Sequence, residues 1–314
     1  MNPQLSEKEK FKIYKVGGVV ILGIIMLMFV INAIFIPIKA EKEISRKFDK
    51  AMIKYDDIDC SGIFDIECKV TNVISPMQNG FLYLDTMNIK NIKNLAKLGT
   101  KRANGSIKIS VDGIGLKVVN KNMKNKFTEN ILENYFSAKK YKFEISLIYD
   151  TGILKGVKID NIALKNKYND IFSFQGKMSN IGSNPIIEYV NIGTIFDKSI
   201  KHSIYNAYLS SIMNMTKKEV EKYNLKSFGL KDNITEDIVW KNFINDKSFN
   251  KYKKEKNYKD IIEKIKSGDL KQILVILTNQ KMIPAKDMLI SIGMGEPISK
   301  FFKVEYKTDF EIKF

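Results

Sequence analysis

The two cysteines, Cys60 and Cys68, are the residues whose type and spacing specify a chemistry most clearly. They lie eight positions apart, and the chain contains no other cysteine. Two lone cysteines at this spacing are typical of one local disulfide in an oxidising compartment, with Ser61-Gly62 forming the turn. A redox-active pair usually has C-x-x-C spacing, so the pattern does not favour catalysis. The sequence therefore predicts a structural disulfide, and two unrelated buried thiols are the alternative.

The rest of the sequence offers no pattern typical of a catalytic or metal site. His202 is the only histidine, and it falls on a predicted helix, where a structural role is expected. The S-x-x-K pattern of His-independent serine hydrolases occurs at Ser137–Lys140 and Ser248–Lys251, but neither K-T-G nor S-D-N accompanies it. Glycine-rich phosphate motifs are missing as well. We therefore expect a protein that is not an enzyme, with no catalytic residues, no cofactor and no bound metal.

The net charge of +17 comes almost entirely from lysine. Of the 52 basic residues two are arginines, Arg46 and Arg102, which leaves 50 lysines. Arginine supplies the bidentate fork that reads phosphates and base edges, and lysine lacks that geometry. The sequence therefore predicts a solvated, lysine-coated surface and no nucleic-acid partner. Attraction to anionic lipid headgroups is the alternative, because lysines close to a membrane gain about 1 kcal/mol each.

Residues 16–38 form a long uncharged run, which Lys15 and Lys39 flank. At about 1.5 Å per residue this run makes a helix of roughly 34 Å, which exceeds the bilayer core of about 30 Å. A cleavable signal peptide, the main alternative, has a shorter apolar region and small residues at its cleavage site, and this run has neither feature. The pattern predicts an uncleaved transmembrane signal anchor.

The orientation of this anchor depends on two opposing signals. Positive residues are more numerous after the run than before it, which alone would keep the C-terminal side in the cytoplasm. Long domains, however, cross a membrane largely regardless of charge, and the cysteine pair favours an oxidising compartment. We therefore predict a single-pass protein of a bacterial inner membrane, with residues 1–15 as a cytoplasmic tail and the C-terminal domain in the periplasm.

The spacing of apolar residues divides the rest of the chain into three parts. Residues 39–60 carry apolar residues at helical spacing and are predicted to form an amphipathic helical stalk. Residues 61–197 alternate between apolar and polar positions, with glycine-containing turns, which predicts a β-rich periplasmic domain with a mainly antiparallel sheet. Residues 198–314 return to helical spacing and end in an alternating segment that begins at Phe302.

The fold class expected from these parts is α+β. It comprises an N-terminal transmembrane helix, a mainly antiparallel β-sheet domain, and a helical C-terminal region closed by a final β-strand that packs back on the sheet. A helix is predicted to begin at Thr235, which has the side chain of an N-cap and is followed by two acids. The other predicted helices of this region cover residues 198–223, 258–267, 269–280 and 285–292.

Two segments of the β-rich part share a pattern at an offset of 72 residues. Gly80–Ile92 and Gly152–Leu164 each follow a strand-like run, and each is typical of a hairpin whose second strand carries alternating apolar residues. The pattern is either a true repeat or a chance similarity in a chain rich in Ile, Asn and Lys. With the N-terminal span, these segments resemble the AsmA-like and YdgA-like families of bacterial envelope proteins. The resemblance implies a non-enzymatic envelope role, such as lipid handling or outer-membrane maintenance.

We therefore predict a non-enzymatic, membrane-anchored periplasmic protein that acts in envelope maintenance or lipid handling, with the membrane, lipids or envelope proteins as partners. One alternative is a scaffold or accessory subunit of an inner-membrane complex, and the other is a His-independent envelope hydrolase. A continuous apolar groove would favour the first function. An apolar patch exposed on helices would favour the second, and a deep pocket with converging acids would favour the third.

Overall fold

The computed structural model describes residues 35–62, 65–77, 80–95, 97–120, 125–223, 233–245, 256–268, 270–294, 296–312 and 314. These residues form an α+β fold, in which helices pack against one antiparallel sheet. The predicted tail 1–15 and the Ser248–Lys251 pattern lie outside them. The strands are β1 (Asp57–Ser61), β2 (Glu67–Met77), β3 (Gly80–Lys90), β4 (Gly105–Asn120), β5 (Ala138–Asp150), β6 (Ile153–Asn166), β7 (Ile171–Ser179), β8 (Ile186–Ile195), β9 (Gln272–Thr278) and β10 (Lys303–Lys307). The helices are α1 (Ile36–Lys50), α2 (Ile92–Leu95), α3 (Lys126–Asn134), α4 (Ile200–Ile212), α5 (Lys217–Lys222), α6 (Glu236–Ile244), α7 (Lys256–Lys266) and α8 (Ala285–Gly293), with a 3-10 turn at Ile298–Lys300.

The strands follow one another in the sheet in the order in which they occur in the chain. Within the described residues the sheet has ten strands, and each pairs antiparallel with the next. Strands β1 to β8 make a meander of neighbouring strands. Strand β9 then pairs with β8 although α4 to α7 lie between them in the chain. These four helices are therefore an insertion between two hydrogen-bonded strands.

Strands β5 to β8 place mainly apolar residues on one face of the sheet and mainly polar residues on the other, whereas β9 is apolar on both faces. Ile162, Phe174 and Ile192 lie opposite one another on β6, β7 and β8. The next pair on the other face is Gln175 opposite Asn191. Because side chains alternate along a strand, these registers continue across β5 to β8 as an apolar face and a polar face. Register shifts between β5 and β6, β6 and β7, and β7 and β8 bend the strands at β-bulges.

Helix α1 covers the apolar face at the β1 side of the sheet. Its buried residues Ala40 and Ile44 pack in one hydrophobic cluster with Cys68 and other residues of β2 and β3. Full burial of an aliphatic side chain contributes roughly 1.5–3 kcal/mol, so this cluster attaches the helix to the sheet. Within residues 39–60, the predicted helical stalk, the helix ends at Lys50 and β1 follows.

Helices α3, α4 and α6 form a second core at the end of the sheet where β5 and β7 begin. Tyr208 and Ile212 of α4 are buried there with Val239 of α6. We call this the helical end of the sheet. The cluster consists of helix and loop residues, so a separate interaction must join it to the strands.

The buried carboxylate of Asp170, directly before β7, makes that junction. It accepts hydrogen bonds from the hydroxyls of Tyr135 (2.9 Å) and Ser203 (2.8 Å) and from the backbone N–H of Asp197 (3.2 Å). Burial raises the pKa of the Tyr135 hydroxyl, so this group stays a proton donor at neutral pH. A buried carboxylate is costly unless it is fully hydrogen-bonded. The network therefore fixes the end of α3 and the start of α4 against β7.

The helical part differs from the sequence prediction in two places. The predicted helix over 198–223 is two helices, because Asn214 adopts a left-handed backbone (φ 65°) between α4 and α5. The predicted helix over 269–280 is wrong, because this segment contains β9, which pairs with strands on both sides. A short apolar run fits a buried helix or a buried strand equally well by pattern alone. The N-cap predicted at Thr235 is confirmed, since its hydroxyl accepts a hydrogen bond from the backbone N–H of Ile238.

The predicted fold class is wrong in its N-terminal transmembrane helix. No helix among the residues that the structure describes combines the length and the apolarity needed to cross a bilayer. This finding overturns the predicted anchor over 16–38, and with it the single-pass location in a bacterial inner membrane with a periplasmic domain. Residues 16–34 of the segment lie outside the described residues. Its last residues begin α1, which is amphipathic and packs one side on the sheet.

Replacing Asp170 by Ala removes the buried acceptor shared by the hydroxyls of Tyr135 and Ser203 and the backbone N–H of Asp197. The two hydroxyls hydrogen-bond each other as well, so one hydroxyl and the N–H are left without an acceptor. Each unsatisfied buried donor costs about 1–3 kcal/mol, so we expect the free energy of unfolding to fall by about 3 kcal/mol in urea denaturation. The exposed Asp150→Ala variant is the matched control and should stay within about 0.5 kcal/mol of the parent. Equal stability of the two variants would contradict the role of Asp170 in joining the helices to the sheet.

Candidate functional site

The middle of the apolar face lies outside the hydrophobic clusters that attach the described helices. Large apolar side chains there are only partly buried, and none of them belongs to those clusters. The most exposed of them, Ile192, leaves 44% of its surface accessible. We name this surface the open apolar face. It consists of Ile145, Leu147, Val157, Ile159, Ile162, Phe174, Met178, Val190, Ile192 and Val275.

Packed side chains bound the open apolar face at both ends of the strands. At the helical end, Phe172 contacts the rings of Tyr135 and Phe136, with centroid distances of 6.2 and 5.7 Å. At the opposite end, Leu277 packs against the cluster of α8 that contains Met288. Across the strands, the surface extends from β5 to β9. These five strands span four inter-strand spacings, or about 19 Å. This width exceeds the about 15 Å that the acyl chains of one leaflet occupy in a bilayer.

An apolar surface in the middle of a sheet that none of the described helices covers is unfavourable in water. Exposed apolar area costs roughly 25 cal/mol per Å², and a sheet normally buries its apolar face under helices or a second sheet. Contiguous apolar patches that persist on folded proteins are typical of binding surfaces. The open apolar face is therefore a candidate site for an apolar ligand such as an acyl chain.

The polar face carries charged pairs and a cavity of about 360 Å³. Glu144 of β5 and Asp160 of β6 line this cavity. Each is paired with a lysine of its own strand, Glu144 with Lys142 at 3.5 Å and Asp160 with Lys158 at 2.6 Å. Amide and hydroxyl side chains and one leucine of β9 complete the sheet side of the lining: Asn161, Ser173, Gln175, Asn191 and Leu274.

The segment that follows β10 forms the outer wall of this cavity. Phe310 and the two residues after it line the cavity from the side opposite the strands. The Phe310 ring lies so close to Gly193 of β8 that an added Cβ there would be 2.9 Å from it. Farther along the segment, the Phe314 ring lies 5.3 Å from the Nζ of Lys140 on β5. The predicted final strand thus ends with β10, and the residues after it cross the polar face.

One acid of the cavity, Asp160, is poorly suited to donate a proton. Burial opposes its ionisation, but hydrogen bonds from Lys158 and Ser146 outweigh that effect and hold the pKa of this carboxyl below its ordinary value. A general acid in glycoside hydrolysis needs a raised pKa. Glu144, which has a second cation, Lys108, at 3.6 Å, and Glu311 also line the cavity. The cavity therefore brings acids together, as a hydrolase requires, but Asp160 does not supply the acid function.

The structure places Cys60 and Cys68 directly opposite each other on β1 and β2. Their Cα atoms are 4.0 Å apart and their sulfur atoms are bonded. Both residues are buried in the cluster under α1. The bond therefore closes the first hairpin of the sheet from inside the core, which is a structural position.

The other residues with possible chemistry do not form a site. The Nδ1 of His202 on α4 lies 3.4 Å from the Oε2 of Glu236 on α6, in a contact between two helices. Ser137 and Lys140 have different partners, because the Ser137 hydroxyl donates to a backbone carbonyl of α3 and Lys140 contacts an aromatic ring. Within the described ranges no group of three His, Cys, Asp or Glu residues could hold a metal ion.

The sequence predicts the apolar and polar positions of the strands but not the cavity or the open apolar face. Alternation tells which side chains share a face and carries no information on whether a helix covers that face. The one local signal for the cavity is Asp160-Asn161, two consecutive polar residues that interrupt the alternation of β6 at a bulge.

Replacing both Cys60 and Cys68 by Ala should lower the free energy of unfolding by about 2 kcal/mol, because the cross-link restricts the unfolded chain. Urea denaturation measures this change. In the parent protein, alkylation of the denatured but unreduced chain followed by mass spectrometry should find both cysteines unlabelled. Two alkylated cysteines in freshly purified protein would contradict the disulfide.

Replacing Asp160 by Asn should weaken the protein at neutral pH and have less effect in acid. The folded-state pKa of Asp160 lies below its unfolded value of about 3.9, so its stabilisation is present above that pH and is lost as the pH falls through the folded pKa. Urea denaturation at a series of pH values should show the two stabilities converging below about pH 4. The exposed Asp65→Asn variant is the control for loss of a surface charge, and a constant difference for Asp160→Asn would refute the shift.

No protein-family model matches this chain, and a search of curated proteins finds no significant match. The resemblance to the AsmA-like and YdgA-like families therefore stays a prediction. The function proposed below depends on the residues of the chain and on their geometry.

Proposed function

We propose that this chain is a non-enzymatic lipid-handling protein that contributes to envelope maintenance. The observation that carries the proposal is the open apolar face, a run of partly exposed aliphatic and aromatic side chains across five neighbouring strands. Its residues come from the inner strands of the sheet, where apolar positions are normally buried. An occupant that supplies apolar contacts would remove this surface from water.

An acyl chain fits this surface better than a compact apolar ligand. The open apolar face is shallow and long, with aliphatic residues on every strand from β5 to β9 and Phe174 near its middle. Each methylene group removed from water contributes about 0.8 kcal/mol. A chain lying across the strands brings each of its methylenes against the face in turn, whereas a compact ligand covers only part of the face.

The polar cavity supports this proposal over the hydrolase alternative. Its two sheet carboxylates are neutralised by lysines, and the pKa of Asp160 is lowered rather than raised. The pairing of Ser137 with Lys140 that a Ser-Lys mechanism needs is also not formed. A non-enzymatic role accounts for both observations, because ion pairs on the polar face then serve solubility and strand register.

Lipid extraction followed by mass spectrometry of the purified chain tests the proposal. We expect co-purified lipids with acyl chains, in an amount that depends on the open apolar face. Phe174→Glu and Ile192→Glu place a carboxylate in that face, and each should weaken binding of a fluorescent fatty acid by at least about tenfold, because an unpaired charge is costly to bury.

The matched control is Gln175→Glu, which adds the same side chain to the same strand on the opposite face. It should bind the fluorescent fatty acid as the parent does. Equal binding by all three variants, or a parent protein free of lipid after extraction, would contradict lipid handling at this surface.

A further inference from the structure

Helix α8 is apolar on its solvent side as well as on its packed side. Its inner residues Ala285 and Met288 are buried against the end of the sheet. On the outside, Leu289, Ile290 and the following Met294 leave 61%, 52% and 74% of their surfaces accessible. A short helix that packs one stripe on a core normally carries polar residues on the other. This helix therefore presents an apolar surface that the described part of the chain leaves exposed.

Exposed residues around α8 extend this surface and give it a charged rim with a small positive excess. Met282 and Ile298 add two exposed apolar side chains. Beside them Lys281, Lys286 and Asp287 are exposed, and Lys300 is paired with Glu296 at 2.9 Å. The formal charge of the whole chain is +17. We name this surface the α8 tip, defined by Met282, Leu289, Ile290, Met294, Ile298, Lys281 and Lys286.

We infer that the α8 tip docks on the surface of an anionic lipid bilayer. Flexible methionine and aliphatic side chains flanked by lysines match the two layers of such a surface, since the apolar groups enter the acyl boundary and the lysines meet the headgroups. Each lysine near an anionic membrane gains about 1 kcal/mol. The net charge of +17 favours an anionic bilayer over a second copy of this chain, because two such chains repel each other.

The position of the α8 tip connects it to the open apolar face. Met288, on the inner side of α8, belongs to the cluster that packs against Leu277 and Ile187. These two residues lie on the same face of the sheet as the open apolar face and form its end. The α8 tip would therefore bring a bilayer to the edge of the surface that receives the acyl chain. This role rests on the proposed function, whereas docking itself does not.

A single tryptophan at the α8 tip tests the docking directly. The chain has one tryptophan, the buried Trp240, so Leu289→Trp is made together with Trp240→Phe in the full chain. With vesicles of phosphatidylcholine and phosphatidylglycerol, the emission of the new tryptophan should shift to the blue, and brominated acyl chains should quench it. Vesicles of phosphatidylcholine alone should give neither effect.

The control places the reporter at the other end of the sheet. Ile114→Trp in the same background uses an exposed residue of β4 near the helical end, and it should show no bromine quenching. Replacing Lys281 and Lys286 by Gln should weaken partitioning about fivefold for each lysine, which corresponds to about 1 kcal/mol each. Unshifted emission at position 289, quenching equal to the Ile114→Trp control, or a concentration-dependent shift without vesicles would overturn docking on a bilayer.

The two proposals fail in different experiments. Lipid found in the purified chain together with an unquenched tryptophan at position 289 would remove the docking inference and leave the proposed function intact. A quenched tryptophan in a chain that holds no lipid and binds no fatty acid would remove the proposed function and leave the docking surface.

Discussion

Hydrogen bonding between strands that are neighbours in the chain is the constraint on which the rest of this structure depends. Each strand of the described sheet pairs with the next, so the register of one hairpin fixes the register of the following one. Because side chains alternate along a strand, a shift by one residue would exchange the two faces. The open apolar face and the polar cavity form only if every one of these strand registers is correct. The buried Cys60–Cys68 bond fixes the register at its first hairpin.

The two faces differ in what stabilises them. On the apolar face, α1 and α8 each bury a stripe of side chains and leave the middle partly exposed. On the polar face, ion pairs between strands hold the strands together instead. Lys90, for example, contacts Glu67 and Asp112 on the two neighbouring strands. Such exposed ion pairs contribute little to stability, but they disfavour registers that bring like charges together. The apolar face therefore determines the stability of the sheet, and the polar face contributes to the choice of strand register.

The sequence predicts the parts of this fold that depend on local pattern. Alternation identifies strands such as Lys142–Leu147, and the N-cap at Thr235 marks a helix start, because each signal lies within a few residues. Strand β9 escapes prediction because a run that is apolar on both faces carries no period, and only its partners β8 and β10 decide its conformation. The segment 16–38 shows the converse, since apolarity alone predicts a bilayer span that the described helices do not provide. The cavity wall at Phe310 depends on a contact with the distant Gly193, which no local pattern records.

The insertion of α4 to α7 between β8 and β9 has a consequence for the order of folding. The hairpins from β1 to β8 close short loops and can form early, whereas the β8–β9 pair must bring together segments separated by the whole helical insertion. Closing a longer loop costs more entropy, and contacts between distant segments slow folding. The helices shorten that distance once they have packed at the Asp170 junction. In this order of folding, the meander from β1 to β8 forms first and leaves the edge of β8 unpaired until the helices have packed. The late pairing of β9 and β10 then completes both the open apolar face and the polar cavity.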